Sequence, residues 1–401
     1  MNLDRSKLHR TKVITTPEDL ASLTDRLKEE DAIAIDTEFH GERRYWPDLY
    51  LIQIAGKDGP VAVDPLEIED LSPLSRILES ETPVKVIHSA RNDIEVLMHH
   101  LNIKLASVFD TQLAAAFLGH PRQTALFRLV KAECGIYPKK GHTLSDWSMR
   151  PLADDQIEYA LDDVRYLLEI YRSQKDKLKK KGRLEWYREE SSSLTDPATY
   201  NNSVNRIFRK VKSKSKISGS KLRILWALIR WREATARKIN KPRNFVVKDH
   251  VLGAIAAMAP DCKKSLSRLR GISSGFITKW GDEVLKAISE ADDIPASEIP
   301  EIHRHHSKPG VSARIDILRI FLKQESCRLG ISAELLLSKD LINSLAKDPP
   351  ADDEELNSLR GLSGWRREAL GNDLISLLKG ELALKLNIEE GSGLHFFRTE
   401  Q

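Results

Sequence analysis

The chain has no apolar run approaching the roughly 20 residues that span a bilayer, and its opening stretch, MNLDRSKLHRTK, lacks the apolar centre of a secretion signal. Both absences predict a cytoplasmic protein with no membrane partner. Cysteine is scarce: Cys134, Cys262 and Cys327 show no C-x-x-C spacing, which argues against a zinc cluster or a disulfide framework and predicts three small buried side chains. No G-x-x-x-x-G-K-[ST] loop is present to cradle nucleotide phosphates, so a motor is excluded. A long apolar heptad pattern is also missing, and the chain is expected to be a monomer. The last absence is local. From Pro197 to Arg232 there is no Asp or Glu, while Arg206, Arg209, Lys210, Lys212, Lys214 and Lys216 open a run of bases that continues to Arg232. Such a stripe draws polyanions by releasing their counterions, although a solvated linker has the same composition.

What is present is a chain of 401 residues, 41% hydrophobic and 30% charged, with a net charge of +4. At about 150 residues per domain this length allows more than one core. The first part alternates short apolar runs (AIAID, LYLIQIAG, PVAVDP, PVKVIH, ASVFDT) with helical patterns, which predicts an α/β domain. From Arg206 onward the patterns are helical and no strand-like run stands out. A repeat is visible there: LRGISSGFITKWGDEVLKAI (269–288) aligns without gaps on LRGLSGWRREALGNDLISLL (359–378). The expected architecture is therefore α/β plus all-α. It places a first domain at 1–195, a basic linker at 196–215, a small helical bundle at 216–290, a linker at 291–311, a second bundle at 312–385 and a tail at 386–401. The HRHH of the second linker (303–306) reads as a solvated loop rather than a metal site.

Chemistry is concentrated in acids at the ends of apolar elements. In AIAIDTEFHG (32–41) a strand buried on both faces runs into Asp36, and Glu38 emerges on the same side two residues on. Like charges so close ask for a metal, a base or a plain surface position. In PVKVIHSARNDIEVLMHHL (83–101), Ser89 stands at an N-cap position and Asp93 in the first helical turn, where the helix dipole also favours an acid. In ADDQIEYALDDVRYLLEIY (153–171), Asp162 shares the solvent stripe of Glu158 and Arg165. Asp163 shares a half-buried stripe with Tyr159, Tyr166 and Ile170, where an acid is costly unless a cation meets it. Gathered together, these acids would suit two hard divalent ions with oxygen ligands, Mg²⁺ or Mn²⁺.

The three motifs DTEF, HSARND and YALDD together resemble the DEDD exonucleases in the variant whose third motif carries Tyr. The segments YWPDLYLIQIA (45–55), FDTQLAAAFLG (109–119) and SDWSMRPL (145–152) resemble those of the ribonuclease D family, and the two repeats resemble the helicase-and-RNase-D C-terminal (HRDC) domain. The resemblance implies an RNase H-like fold and a hydrolytic 3′–5′ exoribonuclease that releases nucleoside 5′-monophosphates by a two-metal-ion mechanism. It implies tRNA precursors or other structured RNAs as partners. It further implies metal ligation by Asp36, Glu38, Asp93 and Asp163, with Asp36 touching both ions, and a Tyr159 phenol that orients the attacking water. Gln53 and His88 are expected near the site as substrate contacts, and Lys139, Lys140 and His142 as phosphate contacts on the loop before Trp147. Tyr45 and Trp46 either stack a base or pack in the core. The rival readings are a 3′–5′ DNA exonuclease of the same superfamily and a non-catalytic RNA-binding protein. The intact set of four acids speaks against the second.

Overall fold

The computed structural model of the protein describes residues 13–137, 146–200, 203–211, 217, 219–300, 309–350, 352–359, 361–387 and 393–398. The chain divides into two compact units, one of Met1–Glu38, Tyr50–Asp196 and His305–Gln401, the other of Phe39–Leu49 and Pro197–Arg304.

The first unit is built on a six-stranded sheet in the order β1-β4-β3-β2-β5-β6, from β1 (Val13–Ile14), β2 (Ala32–His40), β3 (Asp48–Gly56), β4 (Gly59–Val63), β5 (Val84–Ile87) and β6 (Val108–Asp110). β2, β5 and β6 run parallel, while β3 and β4 form an antiparallel hairpin. Parallel strands covered on both faces read as continuous apolar runs, and Ile33, Ala34 and Ile35 of β2 are accordingly without solvent exposure. β2 continues beyond its apolar run, so Asp36 and Glu38 stand on the strand itself. The helices are α1 (Pro17–Leu27), α2 (Ser72–Glu79), α3 (Arg91–Leu101), α4 (Thr111–Phe117), α5 (Leu126–Cys134), α6 (Asp154–Arg165), α7 (Leu167–Lys180) and α8 (Leu184–Ser191). The single helix expected over 153–171 is two, since Tyr166 (φ −105°, ψ −5°) breaks the ladder between α6 and α7.

Local capping also differs from expectation. Ser89 has φ +60° and does not cap α3. The amides of Ser89 and Ala90 instead donate to Asp110, both at 3.1 Å, and the same carboxylate caps α4 by accepting from Gln112 and Leu113. One acid at the end of β6 therefore fixes the start of two helices, a partnership across 20 residues that no local pattern reveals.

The second repeat belongs to this unit. It consists of α13 (Val311–Leu329), α14 (Lys339–Lys347) and α15 (Trp365–Leu378), numbered after α9 to α12 of the other unit, and it ends in an antiparallel hairpin of β7 (Leu382–Asn387) and β8 (Gly393–Arg398). That hairpin corrects the expectation of strand-free sequence and a plain tail. Its alternation of Leu382, Leu384 and Leu386 with Ala383 and Lys385 is strand-like, with turn residues between. One apolar cluster joins Phe109, Leu113 and Phe117 to Leu318, Phe321 and Trp365. Trp365 is 1% exposed, stacked on Trp186 (5.5 Å between ring centres) and edge-on to Phe117 (5.1 Å). Arg183 donates to the carbonyls of Phe117, Leu329 and Gly330. Gly364 sits at φ +63°, ψ −136°, a conformation in which an L side chain is strained, and it lies against the Glu189 carboxylate of α8.

The second unit is helical apart from its contribution from the β2–β3 connection. Its helices are α9 (Val204–Lys210), α10 (Ser220–Lys238), α11 (Asp249–Met258) and α12 (Ser274–Ser289), packed around Phe208, Leu225, Leu228, Leu252 and Val284. Tyr45 belongs to this body: its hydroxyl bonds Glu233 and accepts from Arg237 (3.0 Å), and the amides of Tyr45 and Trp46 both donate to Asn240. Those contacts place Tyr45 as a packed anchor. The basic stripe is shorter than its sequence, because Arg230 pairs with Glu298 and Arg232, 1% exposed, with Asp249. Cys262 and Cys327 are exposed and Cys134 is half-buried at the end of α5, which corrects the expectation of three buried thiols.

A core shared by the α/β domain and the second repeat predicts that Trp365→Ala destabilises both together. The expected loss is about 3–5 kcal/mol, read as a lower urea midpoint at which helix and sheet signals change in one step. Separate transitions for the two parts would contradict a common core.

Candidate active site

Each acid reaches the site from its own element. Asp36 and Glu38 alternate onto one side of β2, and Asp163 comes from α6. Carboxylate oxygens of these three lie within 4.8 Å of one another. Asp93, 7% exposed in the first turn of α3, stands beside them, with its Oδ1 accepting from the Thr37 hydroxyl at 2.5 Å. Alternation turns Thr37 away from Asp36 and Glu38, so the strand that carries two acids also tethers the third.

The electrostatics follow from this crowding. Burial, then the charges of Asp93, Asp163 and Glu38, holds the Asp36 carboxyl well above the usual range. Burial and then Asp163 and Asp93 push Glu38 up to about 8; burial with Asp162 and Asp93 pushes Asp163 to about 7. Asp93 rises to about 6 through burial, opposed by the Thr37 bond. Carboxyls raised this far by burial and one another form a site short of positive charge. Tyr159, half-buried one turn before Asp163, is pushed up to about 12 by burial and then by Asp163, Glu38 and Asp36, so its phenol stays protonated.

α6 is held in place by residues that the motif reading passed over. Trp147 is 5% exposed, stacks 6.5 Å from Tyr159 and packs with Leu51, Ile157 and Leu161. Arg150 grips Asp64 through two bonds (2.5 and 2.8 Å) and donates to the carbonyl of Tyr50, which fixes the segment before α6 to the sheet. The signal for Trp147 and Arg150 was in SDWSMRPL, which resemblance had marked without a role. The solvent stripe of α6 is as expected, with Arg165 bonded to Asp162 and Glu158.

The other expected contacts divide. Gln53 is 0% exposed, with both amide atoms lacking a partner, so it presents no surface to a substrate, which corrects that expectation: β3 carries it inside the sheet, beside its register partner Ala62. His88 bonds Thr111 (2.9 Å), and its pKa is lowered by burial against Asp110, with none of the four acids contributing. Lys139, Lys140 and His142 lie outside the described residues, as does the HRHH segment.

A buried mixed sheet, a helix on each side of β2 and four converging acids with a phenol define a 3′–5′ exonuclease domain, and the family described as 3′-5′ exonuclease matches residues 11–179. The HRDC domain family matches 221–288 and 312–378. Ribonuclease D of Granulibacter bethesdensis is 36% identical over 385 residues, covering 95% of either chain, and that of Nitrobacter hamburgensis 35% identical over 381 residues, covering 94% of this chain and 97% of its own. The crystal structure of Escherichia coli RNase D, described as an exoribonuclease involved in structured RNA processing, aligns with a TM-score of 0.81 at 30% identity, over 92% of this chain and 98% of that one. The chain belongs to the ribonuclease D family. It is a hydrolytic 3′–5′ exoribonuclease with an RNase H-like domain followed by two HRDC domains. Among the described residues no helix is long and apolar enough to cross a membrane.

The raised carboxyls fix a sign for pH dependence. An acid whose folded pKa exceeds its unfolded value near 4 binds more protons when folded, so stability is lost as pH rises through the folded values. In EDTA, the melting temperature should fall between about pH 5 and pH 8, through the values near 6, 7 and 8 of Asp93, Asp163 and Glu38. Asp36→Asn removes one of the crowded carboxyls, and the fall in melting temperature over this range in EDTA should be shallower than in the parent. Equal melting of the two across this range would show that the acids do not strain the fold.

Proposed function

We propose that this chain shortens the 3′ ends of structured RNAs, tRNA precursors among them, by hydrolysing the terminal phosphodiester at Asp36, Glu38, Asp93 and Asp163 with Tyr159. The observation that carries the reading is the convergence of carboxylate oxygens within 4.8 Å on a site whose acids are held above their usual pKa. An all-oxygen donor set of this charge fits hard divalent cations, Mg²⁺ or Mn²⁺, which Asp36, Glu38, Asp93 and Asp163 would hold. When bound, two such ions supply an activated water and neutralise charge on the leaving oxygen of an in-line displacement.

The chain's own residues do the rest. Thr37 keeps the Asp93 carboxylate turned to the cluster by its 2.5 Å bond. Tyr159 holds the attacking water through its hydroxyl; with a pKa pushed up to about 12 it keeps its own proton at neutral pH, so it orients and does not act as the base. Arg150, Asp64 and Trp147 act through α6 by fixing where Tyr159 and Asp163 stand. The second unit, with Arg209, Lys210 and Lys221 exposed at its start, is suited to hold the body of the RNA while the end is trimmed. The organisation we favour is an exonuclease domain at 1–195 with HRDC domains near 216–290 and 312–385, acting as a monomer in the cytoplasm.

The test is a 5′-labelled RNA with a free 3′-hydroxyl, beside a DNA of the same sequence. A ladder shortening from the 3′ end of the RNA is expected, with nucleoside 5′-monophosphate as product and no cleavage in EDTA. Asp36→Asn should lower the single-turnover rate roughly 10³-fold or more, and Tyr159→Phe roughly 10²-fold through misplaced water. Faster shortening of the DNA would favour the DNA-exonuclease reading, and RNA binding without shortening of either polymer would favour the binding-protein one.

A further inference from the structure

The inward face of α5 packs Leu129 and Val130 with Ala115 and Ile170, and Tyr166 lies against this group. Tyr166 follows Asp163 by three residues, so α5 stands beside the last turn of the helix that carries Tyr159 and Asp163. Its outward face is unusual for a surface helix. Phe127 is 57% exposed, with the Arg128 guanidinium 5.8 Å from its ring centre. One turn on, Lys131 lies 4.7 Å from the ring centre of Tyr137, which is 75% exposed. From 118 to 137 the sequence has a single acid, Glu133, and that side chain is 2% exposed and paired with Lys177. The charge that this segment itself displays is therefore positive, carried by Arg128 and Lys131 with Arg122 nearby in sequence, while the exposed Glu169 of α7 lies beside Cys134 at the far end of α5.

We propose that Phe127, Arg128, Lys131 and Tyr137 form a stacking platform for the single-stranded stretch of RNA just upstream of the 3′ end being hydrolysed. The inference rests on the exoribonuclease reading and deepens it. Two large aromatic rings in solvent, each beside a cation and with no exposed acid in their own segment, offer what a single strand needs: π-faces for successive bases and positive charge for the phosphates. A protein partner that buried these rings would have to desolvate both cations, which makes a polyanion the better match. The platform is tolerant of sequence, since every base has a π-face. It belongs to the same unit as the acids, so bases resting there are held in fixed relation to the site.

The experiment measures steady-state cleavage of unstructured RNAs sharing one 3′ sequence, from about three to about twelve nucleotides long. For the parent, KM should fall as length increases. Phe127→Ala combined with Tyr137→Ala should abolish most of that gain, raising KM on the longest RNA roughly 10-fold or more while leaving kcat and the shortest substrate unchanged. Phe127→Trp with Tyr137→Trp should restore it. Arg128→Gln with Lys131→Gln should flatten the salt dependence of RNA affinity by a slope of about 1.4, for two phosphates on a single strand. All these side chains are exposed, so unchanged melting temperatures would confirm that folding is not at issue. An active parent whose length dependence survives the double alanine change would overturn the platform and leave this face to a protein partner. A parent inactive on every RNA would overturn the exoribonuclease reading instead; in that case the anisotropy of the longest labelled RNA with parent and double variant decides the platform alone, equal affinities refuting it.

Discussion

The mutual repulsion of carboxylates at the end of β2 is the constraint that the α/β domain is built to withstand. Left to themselves, Asp36, Glu38, Asp93 and Asp163 would separate or take up protons, and their raised pKa values show how far the second tendency goes. The fold prevents the first. Asp36 and Glu38 cannot part because they stand two residues apart on one strand, which lies between β3 and β5 in the sheet. Asp93 is tied by Thr37, and the start of its helix by Asp110. Asp163 rides on a helix pinned by the Arg150–Asp64 pair and by Trp147. Each tether meets its acid from a different element, so no single local movement relieves the crowding. Sites that break the ordinary rules of burial are expected to be over-determined in this way.

The two repeats, alike in sequence, have been put to different uses, and single positions show how. Trp365 in the second repeat aligns with Gly275 in the first. Trp365 enters the core shared with Phe117 and Trp186, while Gly275 is exposed. The preceding pair is Gly364 and Ser274, and the glycine takes a φ of +63° beside the Glu189 carboxylate. The first repeat instead binds the β2–β3 connection, through Glu233, Arg237 and Asn240 of α10 and the turn that follows it. That connection begins one residue after Glu38 in the chain. The second repeat is thus joined to the exonuclease core by a tryptophan, while the first holds a tyrosine anchor within its own unit.

Much of this was legible in the sequence because its causes are local. A run of Ala and Ile into Asp36 predicts a buried strand with acids at its end, and the stripe of Tyr159, Asp163, Tyr166 and Ile170 predicts which of two adjacent acids turns inward. What could not be read depends on partners distant in the chain. Ser89 looked like a cap because Ser before a helix usually is one; Asp110, across the sheet, had taken that role. Gln53 looked like a substrate contact because strand and motif placed it near the acids, but neither reveals that the fold buries it completely. The end of the stripe at Arg230 and Arg232 looked available because Glu298 and Asp249 arrive from elsewhere. The β7–β8 hairpin was missed for another reason: its alternation was present, but a helical repeat had just ended and set the expectation.

The energetics connect these observations. A cluster of buried acids subtracts from the stability of the metal-free fold, and natural domains have only about 5–15 kcal/mol to lose. The α/β sheet is modest, six strands of which two have three residues or fewer. The compensating burial lies in one apolar cluster that runs from Ala34 and Val164 to where α4 and α8 meet α13 and α15, closed by Trp365 and by the Arg183 bonds to three carbonyls. Large apolar side chains buried there contribute about 1.5–3 kcal/mol each. On this account the second HRDC domain is first of all a structural part of the exonuclease, whose added core lets the site keep its charges crowded.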